Sequence, residues 1–357
     1  MADSAKIILV ELLENGRQSR ADLARKLRRS RPAISTAVDK LMHKGAVVEA
    51  GVAKSSGGKP PIMLELSSAM FSAIGFEVGA NDTIRGLLVD GNSTIIDEAL
   101  IPFTNRFESI AESCCQAVNV LRERNPQYTV HGIGGAVSGV VDTNENEVIY
   151  SANFDIAEQG LANVIARETA LGVTLFNRAR AAAVAEWRDC PKMEEDCFIY
   201  VNFAHGVGAV IHHNGAEING RNFSAGEIRS TMVPVNGHYT PLEEGLQKIF
   251  AEFGASTEPQ VYRKYIEPTA HAIKIWSDFI DPNAIIIGGK FRDLGDSFLE
   301  ELTAHLAVNS SPRIALPNIR FAGNSKLGSA GGAAFNILRK SIHRLKLSSL
   351  WNGSAFK

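Results

Sequence analysis

Cysteine is scarce in this chain of 357 residues, which holds four: Cys114, Cys115, Cys190 and Cys197. The first two are adjacent within a helical pattern, and there is no Cys-x-x-Cys pair. The sequence therefore offers neither a disulfide framework nor a thiolate zinc site, which fits a reducing compartment. Long apolar runs are missing too. No stretch is long enough to span a bilayer, and the start lacks the basic-then-apolar pattern of a signal peptide. The expectation is a cytoplasmic protein with no membrane attachment. Nor is there a large net charge: Lys and Arg number 37 against 39 Asp and Glu. What is present is an ordinary globular composition, 45% apolar and 21% charged. The chain is long enough for two or three domains with cores of their own.

The charge is unevenly spread. Residues 1–66 hold 12 Lys and Arg against 7 Asp and Glu, while the remainder holds 25 against 32. A basic end on an acidic body points to nucleic acid met at that end alone. Apolar spacing predicts a helix over 4–14, closed by Asn15-Gly16, and a second over 20–27, capped by Ser19. A third is predicted over 31–44, with Pro32 in its first turn and Ala33, Val38, Leu41 and Met42 facing inward. Two short strand-like runs, 47–50 and 62–66, flank a Ser-Ser-Gly-Gly-Lys-Pro-Pro tip. Three helices plus a hairpin predict a winged helix-turn-helix over residues 1–66. Such a domain sets its third helix in the major groove and its wing against phosphate or the minor groove. The expected DNA-contacting residues are Arg28, Arg29, Arg31, Ser35, Thr36 and Lys40 around that helix, and Lys59 on the wing.

Residues 67–72 read as a linker. Strands are then predicted at 71–78, 83–90, 94–102, 131–137 and 173–176, with helices at 110–124 and 161–171. After Trp187 the same grammar restarts. Strands at 197–203, 208–212 and 216–218 precede helices at 242–253 and 262–279, a strand at 284–287, a helix at 295–307 and a strand at 319–321. Strands first and helices after, given twice, predict two α/β lobes around a cleft, 71–188 and 189–340. The terminal helix near 328–340 is expected to pack back on the first lobe, leaving a tail at 341–357.

The pivotal stretch is 173–187. A strand, a polar turn and an Ala-rich helix set Asn177 and Arg178 at a strand end, where open α/β sheets hold their ligands. An enzyme transferring phosphoryl to a hydroxyl wants a carboxylate there, to accept the proton. Arg178 stays protonated and has no acceptor, so it cannot do that work.

Over residues 4–340 the chain resembles the ROK family (repressors, open reading frames and sugar kinases), and above all its regulator branch. The segment Ile133-Gly134-Gly135-Ala136-Val137-Ser138-Gly139-Val140-Val141-Asp142 is similar to the family's Gly-rich strand and turn, with Ser138 where proline is usual. Ser151-Ala152-Asn153 resembles its sugar-contacting segment, and Gly206-Val207-Gly208-Ala209 with Asn214-Gly215 its second phosphate loop. Ser224-Ala225-Gly226-Glu227-Ile228 is the most specific match. Gly288-Gly289 and Leu327-Gly328-Ser329-Ala330-Gly331-Gly332-Ala333 resemble the nucleotide-lobe glycines. The implied fold is α/β: an N-terminal winged helix-turn-helix joined to an actin-like (ribonuclease H-like), two-lobed sugar-kinase fold.

Departures from the family pattern carry as much. Its kinases have Asn-Asp where this chain has Asn177-Arg178, so the base is gone. Its Glu-x-Gly-His is Glu227-Ile228-Arg229-Ser230 here, and its Cys-rich zinc loop is replaced by a short segment around 236–240. Its first phosphate loop, usually Asp-x-Gly-Gly-Thr, is Glu77-Val78-Gly79-Ala80-Asn81. The resemblance thus implies a sugar-binding set of Asn153, Asn177, Arg178, Glu227 and Glu243, with no catalytic residue, no metal and no cofactor. Arg178 and Arg180 also offer forked hydrogen bonds to an anionic ligand such as a sugar phosphate or sugar acid. The expected protein is a sequence-specific regulator, a repressor of carbohydrate metabolism, that senses a sugar or sugar derivative without phosphorylating it. It would act as a homodimer or homotetramer on an inverted-repeat operator. The alternative is an active ROK-type sugar kinase with an added DNA-binding domain.

Overall fold

The N-terminal helices begin where their caps are. Helix α1 (Ala2–Asn15) leads through a two-residue strand, β1 (Gln18–Ser19), into α2 (Arg20–Lys26) and α3 (Arg31–His43). At the start of α2 the Ser19 hydroxyl accepts the Asp22 N–H, and the Asp22 carboxylate accepts the Ser19 N–H in return. This reciprocal cap contributes about 1 kcal/mol. The Ser19 hydrogen bonds also hold the Asp22 carboxyl below the usual carboxylate range. Ser30 caps α3, with Pro32 in the first turn. Its inner stripe is Ile34, Ala37, Val38 and Leu41. Ala33, expected inside, is exposed: it lies in the first turn of α3, at the flank of the 34, 37, 38, 41 stripe rather than within it. Strands β2 (Val47–Val52) and β3 (Ile62–Leu66) pair antiparallel, with β1 on the far edge of β3.

The computed structural model describes residues 2–53, 60–79, 82–189, 197–203, 206–214, 216–310, 315–323 and 326–345. Residue contacts divide the chain into two units: Met1–Pro191 with Lys326–Lys357, and Lys192–Ser325.

After the wing, unit 1 runs through β4 (Ser72–Val78), β5 (Thr83–Asp90), β6 (Ile95–Pro102), α4 (Phe107–Arg124), β7 (Val130–Val137), β8 (Val140–Asp142) and β9 (Glu147–Tyr150), then α5 (Leu161–Thr169), β10 (Val173–Asn177) and α6 (Arg178–Asp189). The sheet order is β10-β7-β4-β5-β6. Strands β4, β5 and β6 form an antiparallel meander, while β7 and β10 lie parallel on the other side of β4. The central strands are buried nearly throughout, as parallel strands covered by helices must be.

Unit 2 repeats the plan. Its elements are β11 (Cys197–Phe203), β12 (Val207–His213), β13 (Ala216–Glu217), β14 (Met232–Val235), β15 (His238–Pro241), α7 (Leu242–Phe253), α8 (Pro259–Ile280), β16 (Ala284–Gly289), α9 (Asp296–Val308) and β17 (Asn318–Phe321). The order β13-β12-β11-β16-β17 again joins an antiparallel meander to two parallel strands. The hairpins β8–β9 and β14–β15 have no counterpart in the sequence reading.

The last helix, α10 (Gly328–Arg344), belongs to unit 1. It lies across β4, β7 and α6 on a stripe of glycine and alanine. The approach is so close that a Cβ on Gly332 would overlap the Ala181 carbonyl oxygen and stand 3.0 Å from the Ala185 nitrogen. The far end of α10 meets the winged helix. Arg339 pairs with Glu14 at 2.9 Å, and Lys6 donates to the His343 carbonyl. Leu9, Leu12 and Leu13 of α1 share one apolar core with Phe335, Leu338 and Ile342.

Residues 67–72 are not a slack tether. Met70 and Phe71 fold back through their N–H groups onto the Ser67 carbonyl. The turn after β5 clasps the end of β3: Asn92 accepts the Leu66 N–H at 3.2 Å and donates to its carbonyl at 2.8 Å. The Ser68 hydroxyl donates to Asp90, whose other oxygen accepts the Asn92 and Thr94 N–H groups. Asp90 is buried, and these donors supply the partners a buried carboxylate needs.

Candidate functional site

Burying Ile34, Ala37, Val38 and Leu41 turns the opposite face of α3 outward. Arg31, Thr36 and Lys40 are exposed and Ser35 is half-buried, with Arg28 and Arg29 exposed in the preceding turn. Arg28 holds a left-handed backbone, φ +50°. Arg20 is spent on structure: it pairs with Asp39 at 2.6 Å and donates to the Ser35 carbonyl, tying α2 to α3. A shallow surface hollow along α3 is lined by Thr36, Asp39, Lys40, His43 and Lys44. Lys59 lies outside the described residues.

In unit 1 the expected polar turn between strand and helix does not exist. Strand β10 ends at Asn177 and α6 begins at Arg178. The reason is Asn177 itself. Its side-chain oxygen accepts the Ala179 N–H at 2.8 Å and the Arg180 N–H at 3.2 Å, so it caps the helix directly at the strand end. Its amide nitrogen donates to the Gly139 carbonyl at 2.8 Å. Gly139, at φ +136°, has no room for a Cβ, which would overlap the Tyr150 carbonyl oxygen. Three segments thus knot together: the Ser138-Gly139 turn, the end of β9 and the start of α6. Arg178 is half-buried at the first position of α6, and Arg180 is 7% exposed. Asn153 is exposed two residues beyond Ser151; its carbonyl accepts from Asn105, which also accepts the Asp155 N–H.

Glu77 opens the segment that departs from the first phosphate loop. Its carboxylate accepts the Ser329 hydroxyl in the first turn of α10. Ala80 and Asn81 lie outside the described residues.

Glu227 and Glu243 belong to unit 2. Glu243 sits in the first turn of α7 and accepts the Val207 N–H at 2.8 Å. Glu227 is half-buried before a 3-10 turn, Ile228–Ser230, and the preceding Gly226 carbonyl accepts the Ala209 N–H at 2.9 Å. A cavity of about 220 Å³ opens beside Glu243, walled by Phe203, Val207, Leu246, Phe250 and Phe291. Sequence reading missed it, because its aromatic residues come from elements far apart in the chain. Glu243 at the head of an amphipathic helix was the one signal pointing there.

Among the described residues, no group of three or more His, Cys, Asp or Glu side chains is gathered to hold a metal ion. The segment that stands for the family's zinc loop is the β14–β15 hairpin, turned through Asn236 and Gly237, both at positive φ. Its order comes from its ladder and from Val233 and Leu242, both fully buried. His238 is exposed.

Comparison with known proteins adds identity to this geometry. Residues 73–240 match the ROK family model, and residues 2–48 match a winged helix-turn-helix DNA-binding model. The chain is 29% identical over 235 residues to a xylose repressor from Bacillus spizizenii, an alignment covering 65% of this chain and 61% of that protein. It therefore spans about three fifths of that relative's length. It is 22% identical over 290 residues to a glucokinase from Halalkalibacterium halodurans, covering 68% of this chain and 87% of the kinase. Among solved structures, a ROK family transcriptional regulator described as a homolog of the E. coli MLC protein superposes with a TM-score of 0.73 at 17% identity, covering 98% of both chains. The chain thus carries a ROK family domain, with its sugar-kinase-like actin fold, behind an N-terminal winged helix-turn-helix.

Proposed function

We propose that this chain is a sequence-specific DNA-binding repressor of carbohydrate metabolism. It answers to a sugar or sugar derivative held in its kinase-like body, and it does not phosphorylate that ligand. The observation that carries the reading is the surface α3 leaves uncovered, with Arg31, Thr36 and Lys40 exposed and Ser35 half-buried on a helix capped at Ser30. Similarity to a protein named xylose repressor supports it and makes pentoses the first effectors to try. One winged helix reaches few base edges, so the working form is a dimer or tetramer on an inverted repeat. The effector shifts that form only through its different affinity for the DNA-competent and DNA-incompetent states.

The rival reading is a sugar kinase with an added DNA-binding domain, and kinases do stand among the relatives. Against it stand Arg178, which the family resemblance sets where the kinases carry their base and which has no acceptor, and Glu77, whose carboxylate accepts the Ser329 hydroxyl. The test is an anisotropy titration against genomic fragments at several salt concentrations. Expected are a preferred fragment, a log–log salt slope of about -0.9 per phosphate neutralised, and release by a sugar. No fragment bound better than bulk DNA would overturn the reading. ATP consumption dependent on a sugar, well above a blank, would establish the kinase instead.

A further inference from the structure

We propose that the cavity beside Glu243 receives the aromatic aglycone of a neutral glycoside, so that the effector is an aryl glycoside rather than a free sugar. This rests on the regulator reading above and narrows its effector class.

The lining divides by exposure. Phe203, Val207, Leu246, Tyr265 and Phe291 are buried and form the floor. Glu243 and Lys290 are half-buried and Phe250 is exposed, and these form the mouth. The floor is set by ring packing. Phe203 and Phe291 stack with centroids 4.0 Å apart, and Tyr265 meets Phe291 edge-on at 5.2 Å. The polar groups of these residues that could face inward are already engaged. The Tyr265 hydroxyl donates to the Gly254 carbonyl just past the end of α7, and the Val207 N–H donates to Glu243. A sugar hydroxyl taken onto this floor would lose its water partners and gain none, which is costly. An aromatic ring has no such partners to lose, and its burial is favourable. Size agrees: a dry apolar cavity of about 150 Å³ takes benzene, and this one measures about 220 Å³.

The mouth has the opposite chemistry. One Glu243 oxygen accepts the Val207 N–H, and the other takes no hydrogen bond from the described residues. Gly206 leaves room for this carboxylate, since a Cβ there would stand 3.0 Å from it. Lys290 holds its ammonium 4.2 Å from the centroid of the Phe250 ring and forms no ion pair with a described residue. An acceptor and a donor thus line the mouth of an apolar floor. That is the pattern for one molecule with a hydroxylated end and an apolar end. A free sugar, hydroxylated all round, matches the mouth alone. A purine nucleotide matches neither part: its ring nitrogens would face carbon, and its phosphates would meet the like charge of Glu243.

The test is calorimetric titration of the full chain with matched glycosides: methyl against phenyl β-xyloside, methyl against phenyl β-glucoside, and phenol, benzoate and ATP alone. Expected is a phenyl glycoside binding at least about tenfold tighter than its methyl partner, the factor that burial of one ring supplies. Its heat-capacity change should be more negative, and it should release the operator at lower concentration than xylose does. Val207→Phe, which fills the floor, should erase the phenyl-to-methyl ratio. Glu243→Gln should weaken both glycosides and keep the ratio. Unliganded melting temperatures check that the variants fold. Ala251→Leu, at an exposed position of the lining, is the second filling if Val207→Phe does not fold. Methyl glycosides that bind as tightly as phenyl ones and release the operator overturn the assignment while the regulator reading stands. A phenyl preference that survives filling puts the ring elsewhere and overturns it too. Phenol or benzoate binding as tightly as the glycoside, or ATP more tightly, means a pocket for bare aromatics or nucleotides and also overturns it. So does no binding by any probe, while operator binding tests the regulator reading separately.

Discussion

Replacing Gly332 by alanine sets two known effects against each other. Within a helix the change should stabilise by about 1 kcal/mol, since alanine is the better helix former. Here the new methyl would overlap the Ala181 carbonyl oxygen and lie 2.7 Å from its carbon and 3.0 Å from the Ala185 nitrogen. All three are backbone atoms of α6, so no side-chain rotation relieves the overlap and the helices must part. Overpacking of this kind costs about 1–3 kcal/mol and sometimes more, and backbone overlap belongs at the upper end. The expected net loss is about 2 kcal/mol, which at a urea m-value of about 2 kcal/mol/M lowers the midpoint by about 1 M. Urea unfolding followed by circular dichroism reads it, and hydrogen exchange should assign the loosening to α6 and α10. Because α6 starts at Arg178, effector affinity should fall as well. A midpoint unchanged or raised would refute the reasoning, since helix propensity would then have outweighed the contact.

Replacing Ser35 or Thr36 should change which DNA fragment is preferred more than it changes the salt slope, whereas Arg31→Ala should weaken all fragments alike and reduce the slope by about one; titrations at several salt concentrations compare them. His131 stacks on Phe71 and bonds the Met70 carbonyl, and burial pushes its pKa down. The unfolded chain then takes up a proton below about pH 6.5 that the folded chain refuses, so stability should fall as pH drops below that value. His131→Gln should flatten this fall in urea midpoints measured from pH 7.5 to 5.5, and an unchanged slope counts against it. Purified protein should carry no stoichiometric zinc, because the β14–β15 hairpin is closed by its ladder and by Val233 and Leu242; about one zinc per chain by elemental analysis would contradict this.

The sequence was most legible where local signals agreed. Helix α7 is read to the residue because Pro241 and Gly254 bracket an amphipathic run, and β5 because turns close on both sides of it. The β8–β9 and β14–β15 hairpins were missed: their strands have only three or four residues, and β14 and β15 each hold a proline, which argues against a strand. Asn177 was recognised as important for a ligand, and the helix-capping task that its hydrogen bonds give it was not foreseen. An asparagine at a strand end serves a ligand or a helix cap equally well, and only the hydrogen-bond partners decide between them. The junction at 67–72 looked like a linker because serine-rich segments usually are. What makes it rigid is Asn92 and Asp90, some 25 residues downstream in a turn that gives no hint of its client.

The core that α1 shares with α10 changes what motion can mean here. A reading head on a flexible tether could swing alone to search for its half-site. This one is welded: its leucines lie among those of the terminal helix, and its last strand is clasped by a turn of the body. Unit 1 is therefore a lever arm with the DNA-reading helix at one end and the start of α6 on the same rigid piece. In the dimer proposed above, a change in the distance between two heads would come from turning whole arms, so that a small rotation would become a large displacement at the groove. The same weld makes the head inseparable. Cutting at residue 66 would strip the cover from Phe335, Leu338 and Ile342, and the remaining body would be a protein with a wound rather than a smaller version of itself.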